Sequence, residues 1–390
     1  MDIEKLNAQF IQLYGSEKYS THLFFSPGRV NLIGEHTDYN GGYVFPCALS
    51  YGTYLLARKN NSHTISLATT NFDFKLDIEI SAINDKIRDE WVNYPLGVFA
   101  ELIKRNAIPG GVDLLYSGDI PNKSGLSSSA SIELVTGVAL NDLFDLGFNQ
   151  VELVKIGQAA ENNFVGVNCG IMDQFAVGMG KKDHAIHLKC DTLEYELVPL
   201  KLSGYKLVIA NTHKERGLAD SKYNERVSEC QTAVQALNDG TPINFLAEMT
   251  VREFNEYMHL IEDETVMRRA RHVITENERV LQAVQALKAG RLEDLGELMN
   301  ASHDSLRDDY GVTGLELDTL VNESRKIHGV IGSRMTGAGF GGCTVSLVKE
   351  EAVDEMIAKV GPAYLSITGL QADFYVADIG DGAGRIGNRT

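Results

Sequence analysis

Hydrophobic and polar positions in the first half of the chain follow two different periods. Residues 74–80 alternate strictly, which is typical of a half-buried strand, and the apolar run at 112–116 indicates a second strand. Two later segments repeat apolar residues at helical spacing: Ile132, Val135, Ala139 and Leu143, then Leu153, Ile156, Ala160 and Phe164. Each stripe predicts a helix that buries one face against a sheet. The first half is therefore predicted to alternate strands with helices.

The second half is predicted to be mostly helical. A buried strand at 206–210 opens it, and helical periodicity runs from about residue 220 to residue 327. The chain returns to strands at 343–347 and 374–376, with a helix at 350–359 between them. This order of elements is an α+β pattern.

The change from a mixed to a helical pattern divides the chain near residue 200. A length of 390 residues suits two ordinary domains. We therefore expect an N-terminal domain at residues 1–203 and a C-terminal domain at residues 204–390. The glycine-rich tail after Ile379 is expected to be a frayed end.

Composition and charge narrow the class of protein. The net charge is −17 and the pI is about 5.0, which excludes binding of nucleic acid or an anionic membrane through a broad basic face. No window approaches the roughly 20 apolar residues that span a bilayer, and the N-terminus has no signal-peptide pattern. Five cysteines without a CxxC pair fit reduced thiols. We expect a cytoplasmic monomer that binds small molecules.

Residues 28–42 concentrate chemistry in one short run. They contain one arginine, two carboxylates, one imidazole, two amides and four glycines. The run can enter a strand at Val30 and Leu32 but must leave it as an open polar loop. Such a loop suits a ligand rich in hydroxyl groups.

A second run, residues 121–131, places glycine and serine directly before the predicted helix that contains Ile132. The first turn of a helix has unpaired N–H groups and a partial positive charge, so small residues there let a phosphate approach the backbone. Serine hydroxyls can also donate to phosphate or bind Mg²⁺. A serine that merely caps the helix is the alternative.

Two further segments have polar or glycine-rich patterns. Residues 337–342 match G-x-G-x-x-G, but a strand follows them, so the dinucleotide-binding interpretation fails and a tight hairpin or a close backbone contact remains. Glu161 and Asp173 flank a turn, and Asp173 lies in an apolar setting. A carboxylate there needs a partner or a function, although a solvated acid or a loop cap is the alternative.

Together these runs resemble the galactokinases of the GHMP small-molecule kinase superfamily. The resemblance is chain-wide and rests on residues 28–40, 125–131, 169–174, 269–273 and 332–343. It implies an α+β fold of two domains, an N-terminal ribosomal-S5-like α/β domain and a C-terminal ferredoxin-like domain of helices and strands, with the active site in the cleft. It also implies MgATP as donor and phosphorylation of the C1 hydroxyl of α-D-galactose, the entry step of galactose metabolism.

The resemblance further implies roles for single residues. Asp173 is the base that receives the C1 hydroxyl proton, and Arg29 lies beside it. The residues that match sugar contacts are Glu35, His36, Asp38, Gly170, Asp173 and Tyr223. Those that match nucleotide contacts are Gly125, Leu126, Ser127, Ser128, Ser129, Ala130 and Ser131, with Trp91 on the adenine side. Ser129 and Glu161 match Mg²⁺ ligands, with Ser128 as the alternative to Ser129.

Two other functions stay open from the sequence. One is a sugar sensor of galactokinase type that regulates a partner without turnover. The presence of Ser129, Glu161, Arg29 and Asp173 together argues against it, since a sensor needs no complete catalytic set. The other is a kinase for N-acetylgalactosamine, which depends on the room around the C2 substituent.

Overall fold

The computed structural model describes residues 1–16, 19–84, 86–87, 91–120, 125–215 and 219–387. The α-helices in these ranges are α1 (Ile3–Tyr14), α2 (Asn93–Lys104), α3 (Ser128–Phe144), α4 (Gln150–Ala160), α5 (Met172–Met179), α6 (Ala219–Leu237), α7 (Val251–Tyr257), α8 (Glu264–Lys288), α9 (Leu292–Ser305), α10 (Leu315–Arg325) and α11 (Val353–Thr368). The strands are β1 (His22–Asn31), β2 (Tyr43–Val44), β3 (Pro46–Lys59), β4 (Thr64–Thr69), β5 (Lys75–Glu79), β6 (Val112–Gly118), β7 (His184–Lys189), β8 (Tyr195–Pro199), β9 (Tyr205–Asn211), β10 (Val330–Thr336), β11 (Cys343–Lys349), β12 (Asp373–Ala377) and β13 (Gly384–Ile386). Residues 121–124 of the predicted phosphate loop lie outside the described residues.

Three sheets organise these elements. A six-stranded sheet has the order β13-β1-β3-β6-β4-β5, a four-stranded sheet the order β10-β11-β9-β12, and a small one the order β2-β7-β8. Every pairing is antiparallel except that of β4 with β6. Helices α3 and α5 pack on β1 and β3 of the large sheet, and helices α9 and α10 pack on β10. The predicted α+β class is confirmed.

The predicted strands of the first half are confirmed, and their burial follows their place in the sheet. Strand β5 lies at the edge, and its residues alternate between exposed and half-buried. Strand β6 lies between β3 and β4, so its residues from Val112 to Ser117 are all buried. The strand with period-two alternation is therefore covered on one face of the sheet. The strand with a continuous apolar run is covered on both faces.

The predicted helices of the first half are also confirmed, with one difference in α3. Helix α3 is buried on more than the predicted stripe, because α2, α4 and α5 contact it in addition to the sheet. Ile132 at its start is only half-buried. In α4 the stripe is buried up to Ala160, and Phe164 lies in a single π-helical turn that follows the helix.

The last helix is longer than the sequence pattern predicts. The prediction ended it at Lys359, before Gly361 and Pro362, but α11 continues to Thr368 with Pro362 inside it. Packing overrides the local stop signal: Val360 and Tyr364 are buried, and the Tyr364 hydroxyl donates to the carbonyl of Thr212 at 2.8 Å.

Residues 380–387, the described part of the tail after Ile379, are not frayed, so that prediction is wrong for them. Strand β13 pairs with β1 at the edge of the large sheet. The N–H of Gly382 donates to the carbonyl of Gly180 at 2.8 Å, and the N–H of Ala383 donates to the carbonyl of Val177 at 2.9 Å. The glycines of this tail, which the sequence pattern predicted to be frayed, instead let the backbone lie against the end of α5. Residues 384–386 thus complete the first sheet, although the predicted C-terminal domain includes them.

None of the helices in the described ranges combines the length and the apolar composition that a bilayer span requires.

Docking of the tail can be tested by adding a methyl group. Gly382→Ala is expected to lower the free energy of unfolding by about 1–3 kcal/mol, because a Cβ there would lie 2.5 Å from the carbonyl oxygen of Gly178. The matched control is Gly384→Ala, whose Cβ would have its nearest neighbour 4.0 Å away. Denaturant unfolding measures both, and an equal, negligible effect of the two substitutions would contradict the docked tail.

Candidate active site

Strand β1 brings the first site residue against the loop that precedes α3. The N–H of Arg29 donates to the carbonyl of Leu126 at 3.1 Å. A Cβ on Gly28 would lie 2.7 Å from the same carbonyl oxygen, so only glycine allows this approach. The Leu126 side chain is buried in the apolar core beneath the loop, which indicates that it anchors the loop.

Arg29 and Asp173 form a bidentate ion pair at the N-terminal turn of α5. Nε of Arg29 donates to Oδ1 of Asp173 at 2.9 Å, and Nη2 donates to Oδ2 at 2.8 Å. Nη1 donates to the carbonyl of Gly125 at 2.7 Å, and the Ser127 hydroxyl donates to Oδ2 at 2.7 Å. The Arg29 side chain is 4% exposed and that of Asp173 is 30% exposed. The carboxylate is therefore fixed in orientation but open to a ligand.

The serine run forms the start of α3. Ser127 adopts φ 61°, a left-handed conformation that turns the chain into the helix. Ser128 is exposed and Ser129 is half-buried, while Ala130 is buried under them. The unpaired N–H groups of this first turn and its positive dipole end are suited to a phosphate.

Ser131 differs from the other serines of the run. Its hydroxyl is buried and donates to the carbonyl of Ser26 at 2.7 Å, and it is hydrogen-bonded to the Thr53 hydroxyl at 2.9 Å. Its N–H donates to the carbonyl of Ser127. Both donors are therefore used within the protein, and the contacts of Ser131 tie α3 to the large sheet and do not support the predicted nucleotide contact.

Glu161 lies close to Ser129. It begins the π-helical turn after α4 and is buried, and its contact with the Ser129 side chain partly offsets the effect of burial on the pKa of its carboxyl. Burial, and then the charge of Asp173, raise the pKa of Glu161 to about 7. A buried acid of this kind is an environment that a cation would stabilise.

These two oxygen ligands suit Mg²⁺. Among the described residues, no group of three or more His, Cys, Asp or Glu side chains is placed to hold a metal ion. Magnesium commonly takes one or two protein oxygens and completes its shell with water and phosphate oxygens. The contact between Ser129 and Glu161 favours Ser129 over the exposed Ser128 as the second ligand.

Glu35 is fully buried at the contact between the polar loop and the C-terminal half. Its Oε1 accepts from the N–H of Gly337 at 2.8 Å and from Nη1 of Arg334 at 3.4 Å. Burial raises the pKa of Glu35 in spite of Arg334. Residues 337–342 form the hairpin loop between β10 and β11, and a Cβ on Gly337 would lie 3.2 Å from the carbonyl oxygen of Gly125. Residues 337–342 therefore form both a hairpin loop and a close backbone contact.

Asp38 is half-buried and faces Gly170. A Cβ on Gly170 would overlap Oδ2 of Asp38, so glycine is required for this carboxylate to keep its position. Burial, and then the charge of Asp173, raise the pKa of Asp38 to about 7. The predicted sugar residues Asp38 and Gly170 therefore lie in contact, and Asp38 lies near the predicted base.

Aromatic rings complete one side of the polar loop. The ring of Tyr223 lies 5.8 Å from that of His36 and 5.3 Å from that of Tyr39, measured between centroids. Nδ1 of His36 bonds to the Tyr39 hydroxyl at 2.9 Å, and that hydroxyl bonds to the hydroxyl of Tyr310 at 2.7 Å. Burial, and then His272, lower the pKa of His36 to about 3. His36 is thus neutral and oriented by hydrogen bonds.

Trp91 lies in an aromatic cluster away from the polar loop. Its ring packs edge-on at 6.1 Å from Phe72, 6.0 Å from Phe74 and 5.2 Å from Tyr116. It is half-buried. These contacts provide an apolar surface of the kind that an adenine ring uses, and the adenine contact itself stays a prediction.

Helix α8 contributes residues that the sequence reasoning missed. Glu276 is fully buried and accepts from the N–H of Gly34 at 2.9 Å and from the hydroxyl of Ser302 at 2.6 Å. Nε2 of His272 bonds to the carbonyl of Glu35 at 3.1 Å. The C-terminal half therefore holds the backbone of the polar loop from below.

The signal for these residues was present but ambiguous. His272 and Glu276 are one helical turn apart, beside the apolar positions Val273 and Val280, and a polar pair at that spacing is usually a solvated face. Burial raises the pKa of Glu276 and the nearby Arg279 guanidinium lowers it, with a net value of about 2. This carboxylate is thus ionised and serves as a fixed acceptor for backbone N–H groups.

The fold and the site define a small-molecule kinase of the GHMP class. Residues 93–181 match the GHMP kinases N terminal domain, and residues 283–366 match the GHMP kinases C terminal domain. Residues 8–59, which include the polar loop, match the galactokinase galactose-binding signature. The chain belongs to the galactokinase family, a class of enzymes that use ATP.

Several relatives match this chain over nearly their full length. A galactokinase of Fusobacterium nucleatum is 55% identical, with 98% of this chain and 100% of the relative covered. One of Bacillus subtilis is 52% identical, with 97% and 98% covered. Lactococcus lactis galactokinase, solved in complex with galactose, superposes with a TM-score of 0.96 at 46% identity over 99% of this chain and 100% of that one. Methanococcus jannaschii mevalonate kinase shares the fold, with a TM-score of 0.68 at 19% identity over 93% and 99%.

The raised pKa of Asp38 predicts that the free energy of unfolding depends on pH. Its folded pKa of about 7 exceeds the ordinary value of 3.8, so the folded state holds a proton that the unfolded state releases between these values. Stability is then lost as pH rises through this window. Asp38→Asn removes the ionisation and is expected to be more stable than the wild type at pH 8, by about 2 kcal/mol after allowance for solvent screening.

The pH dependence of the stability difference between Asp38→Asn and the wild type serves as the control. The advantage of Asp38→Asn should grow from about pH 4 to about pH 7 and then level off. Chemical unfolding of both proteins across this range measures it. A stability difference that does not change with pH would show that Asp38 is not destabilised by ionisation.

Proposed function

We propose that this chain transfers the γ-phosphoryl group of ATP to the C1 hydroxyl of α-D-galactose, with Mg²⁺ as the metal ion. The observation that carries the proposal is the bidentate contact of Arg29 with Asp173, which joins the polar loop side of the site to the serine loop. Membership of the galactokinase family and the matched galactose-binding signature support the same substrate.

Asp173 is the proposed base. Its carboxylate is oriented by Arg29 and Ser127 and stays partly exposed, so it can accept the proton of a sugar hydroxyl. Carboxylates are weak bases toward an alcohol, but in a loose phosphoryl-transfer transition state positioning matters more than basicity. Arg29 offsets negative charge on the attacking oxygen and on the transferred group.

Glu35 and Asp38 are proposed to bind the hydroxyl groups of the sugar and so to select it. His36, Gly170 and Tyr223 lie beside them. Buried carboxylates accept hydroxyl hydrogen bonds strongly, and an epimer that misplaces one hydroxyl leaves the carboxylate unpaired. Burial raises the pKa of both acids, so further donors from a bound ligand would stabilise their ionised forms.

The phosphate side uses the N-terminus of α3. The N–H groups after Ser127 and the hydroxyls of Ser128 and Ser129 are proposed to bind the phosphates of the nucleotide. Ser129 and Glu161 are the proposed Mg²⁺ ligands, and the bound metal ion offsets charge on the phosphates. The role of these residues is to fix the donor in line with the hydroxyl that Asp173 faces.

The cellular compartment and the oligomeric state of the enzyme are also proposed. None of the five cysteines forms a disulfide bond, and four of them are buried. Reduced thiols are typical of the cytoplasm, where we place the enzyme. We propose that it acts as a monomer.

Substrate choice is tested with a coupled assay of ADP release. With MgATP we expect turnover on galactose and at least about 100-fold lower kcat/KM on glucose and mannose, because a misplaced hydroxyl leaves a buried carboxylate unpaired. Talose and N-acetylgalactosamine probe the room at C2. Activity on none of these sugars would identify a sensor, and preference for N-acetylgalactosamine would identify a kinase of that sugar.

A further inference from the structure

Behind the proposed metal site lies a buried acid that the mechanism does not use. Glu133 on α3 is fully buried, and so is Gln174 on α5. Glu133 lies one helical turn after Ser129, so the two side chains share a face of α3. Gln174 directly follows Asp173.

One amide group joins this acid to Glu161. Nε2 of Gln174 donates to Oε2 of Glu161 at 2.6 Å and to Oε2 of Glu133 at 3.0 Å. An amide nitrogen has two hydrogens, so each carboxylate receives one. In this orientation the amide nitrogen serves both acids, while Oε1 of Gln174 has no hydrogen-bond partner among the described residues.

In the part of the chain that the structure describes, the Glu133 side chain makes no other hydrogen bond than the one from Gln174. Its Oε1 is without a hydrogen-bond partner there. A buried acid is costly unless it is hydrogen-bonded, paired or protonated. It is not a partner in an ion pair, since its neighbours are Glu161 and Gln174. Anchoring the Gln174 amide is the one interaction that accounts for its presence.

Helix α4 packs closely against this amide. A Cβ on Gly157 of α4 would lie 2.9 Å from Cδ2 of Leu134, and it would be in van der Waals contact with Cγ of Gln174 at 3.4 Å and Cβ of Glu133 at 3.5 Å. Gln174 therefore links three elements at one point: α3, which carries Ser129; the turn after α4, which carries Glu161; and α5, which carries Asp173.

We propose that Gln174, anchored by Glu133, is a positioning residue that holds the Glu161 carboxylate for the metal ion. Gln174 binds Oε2 of Glu161, and the other carboxylate oxygen would be the one that binds Mg²⁺. This inference rests on the proposed function, because it takes Glu161 as a metal ligand. Partners of this kind orient a metal-binding carboxylate without touching the metal.

The test measures binding rather than turnover. A non-hydrolysable ATP analogue is titrated into the protein by calorimetry, with Mg²⁺ and with EDTA, and the ratio of the two dissociation constants gives the gain due to the metal. Gln174→Ala is expected to reduce this gain about 10-fold. The affinity without Mg²⁺ and the KM for galactose should stay near the wild-type values.

Gln150→Ala is the matched control. Gln150 donates to the carbonyls of Gly178 at 3.0 Å and Ala383 at 3.1 Å, so its loss loosens the other end of α5 without touching Glu161. It is expected to keep the metal gain. An equal reduction in Gln150→Ala and Gln174→Ala would show a general structural effect and overturn the proposal.

Substitutions at Glu133 test the anchor and replace Gln174→Ala if that variant does not fold. Glu133→Ala is expected to reduce the metal gain, and Glu133→Gln, which keeps an acceptor oxygen for the amide, should restore most of it. The double variant of Glu133→Ala and Gln174→Ala should match Gln174→Ala alone, because Glu133 acts through the amide. A full metal gain in Glu133→Ala and in Gln174→Ala would overturn the proposal.

Glu161→Gln separates this inference from the proposed function. A lost metal gain in Glu161→Gln with an intact gain in Gln174→Ala would overturn the positioning role alone. An intact gain in Glu161→Gln would overturn the metal assignment in the proposed function, and the positioning role with it.

Discussion

Arg29 and Asp173 are joined by two hydrogen bonds of 2.9 and 2.8 Å between strand β1 and helix α5, and the other parts of the site are arranged around this pair. The same guanidinium reaches the carbonyl of Gly125, and Ser127 reaches the same carboxylate. The fixed geometry of a guanidinium makes the pair rigid, since it matches a carboxylate at two points. The start of the phosphate loop and the proposed base therefore cannot move independently.

The polar loop depends on the C-terminal half in a comparable way. Glu276 and His272 of α8 bind its backbone, and Gly337 binds the Glu35 carboxylate. The loop belongs to the first part of the chain, but its conformation is set by residues more than 200 positions later. Burial and the charge of Asp173 disfavour the ionised form of Asp38, which is an energetic cost of a pocket suited to hydroxyl groups.

Sequence patterns predicted most of the elements, because strand and helix periods are local properties, and the roles of the site residues, which the family resemblance implied, stay predictions. The contacts of Arg29 with Asp173 and of Asp38 with Gly170 agree with the roles that the family resemblance implied. Long-range packing could not be predicted in this way. The docked tail, helix α11 continuing past Pro362, and the buried acids Glu133 and Glu276 all depend on neighbours that are distant in the chain.

The central claim is that Asp173 acts as the base within this ion pair, and Asp173→Asn tests it most directly. Asparagine keeps the shape of the side chain and one acceptor for Arg29, so the dissociation constants of galactose and ATP should change little. The measurement is kcat for galactose at saturating substrates beside those two constants, with the exposed Asp239→Asn as control. We expect kcat to fall about 1,000-fold with binding retained; a kcat close to that of the wild type would contradict the account.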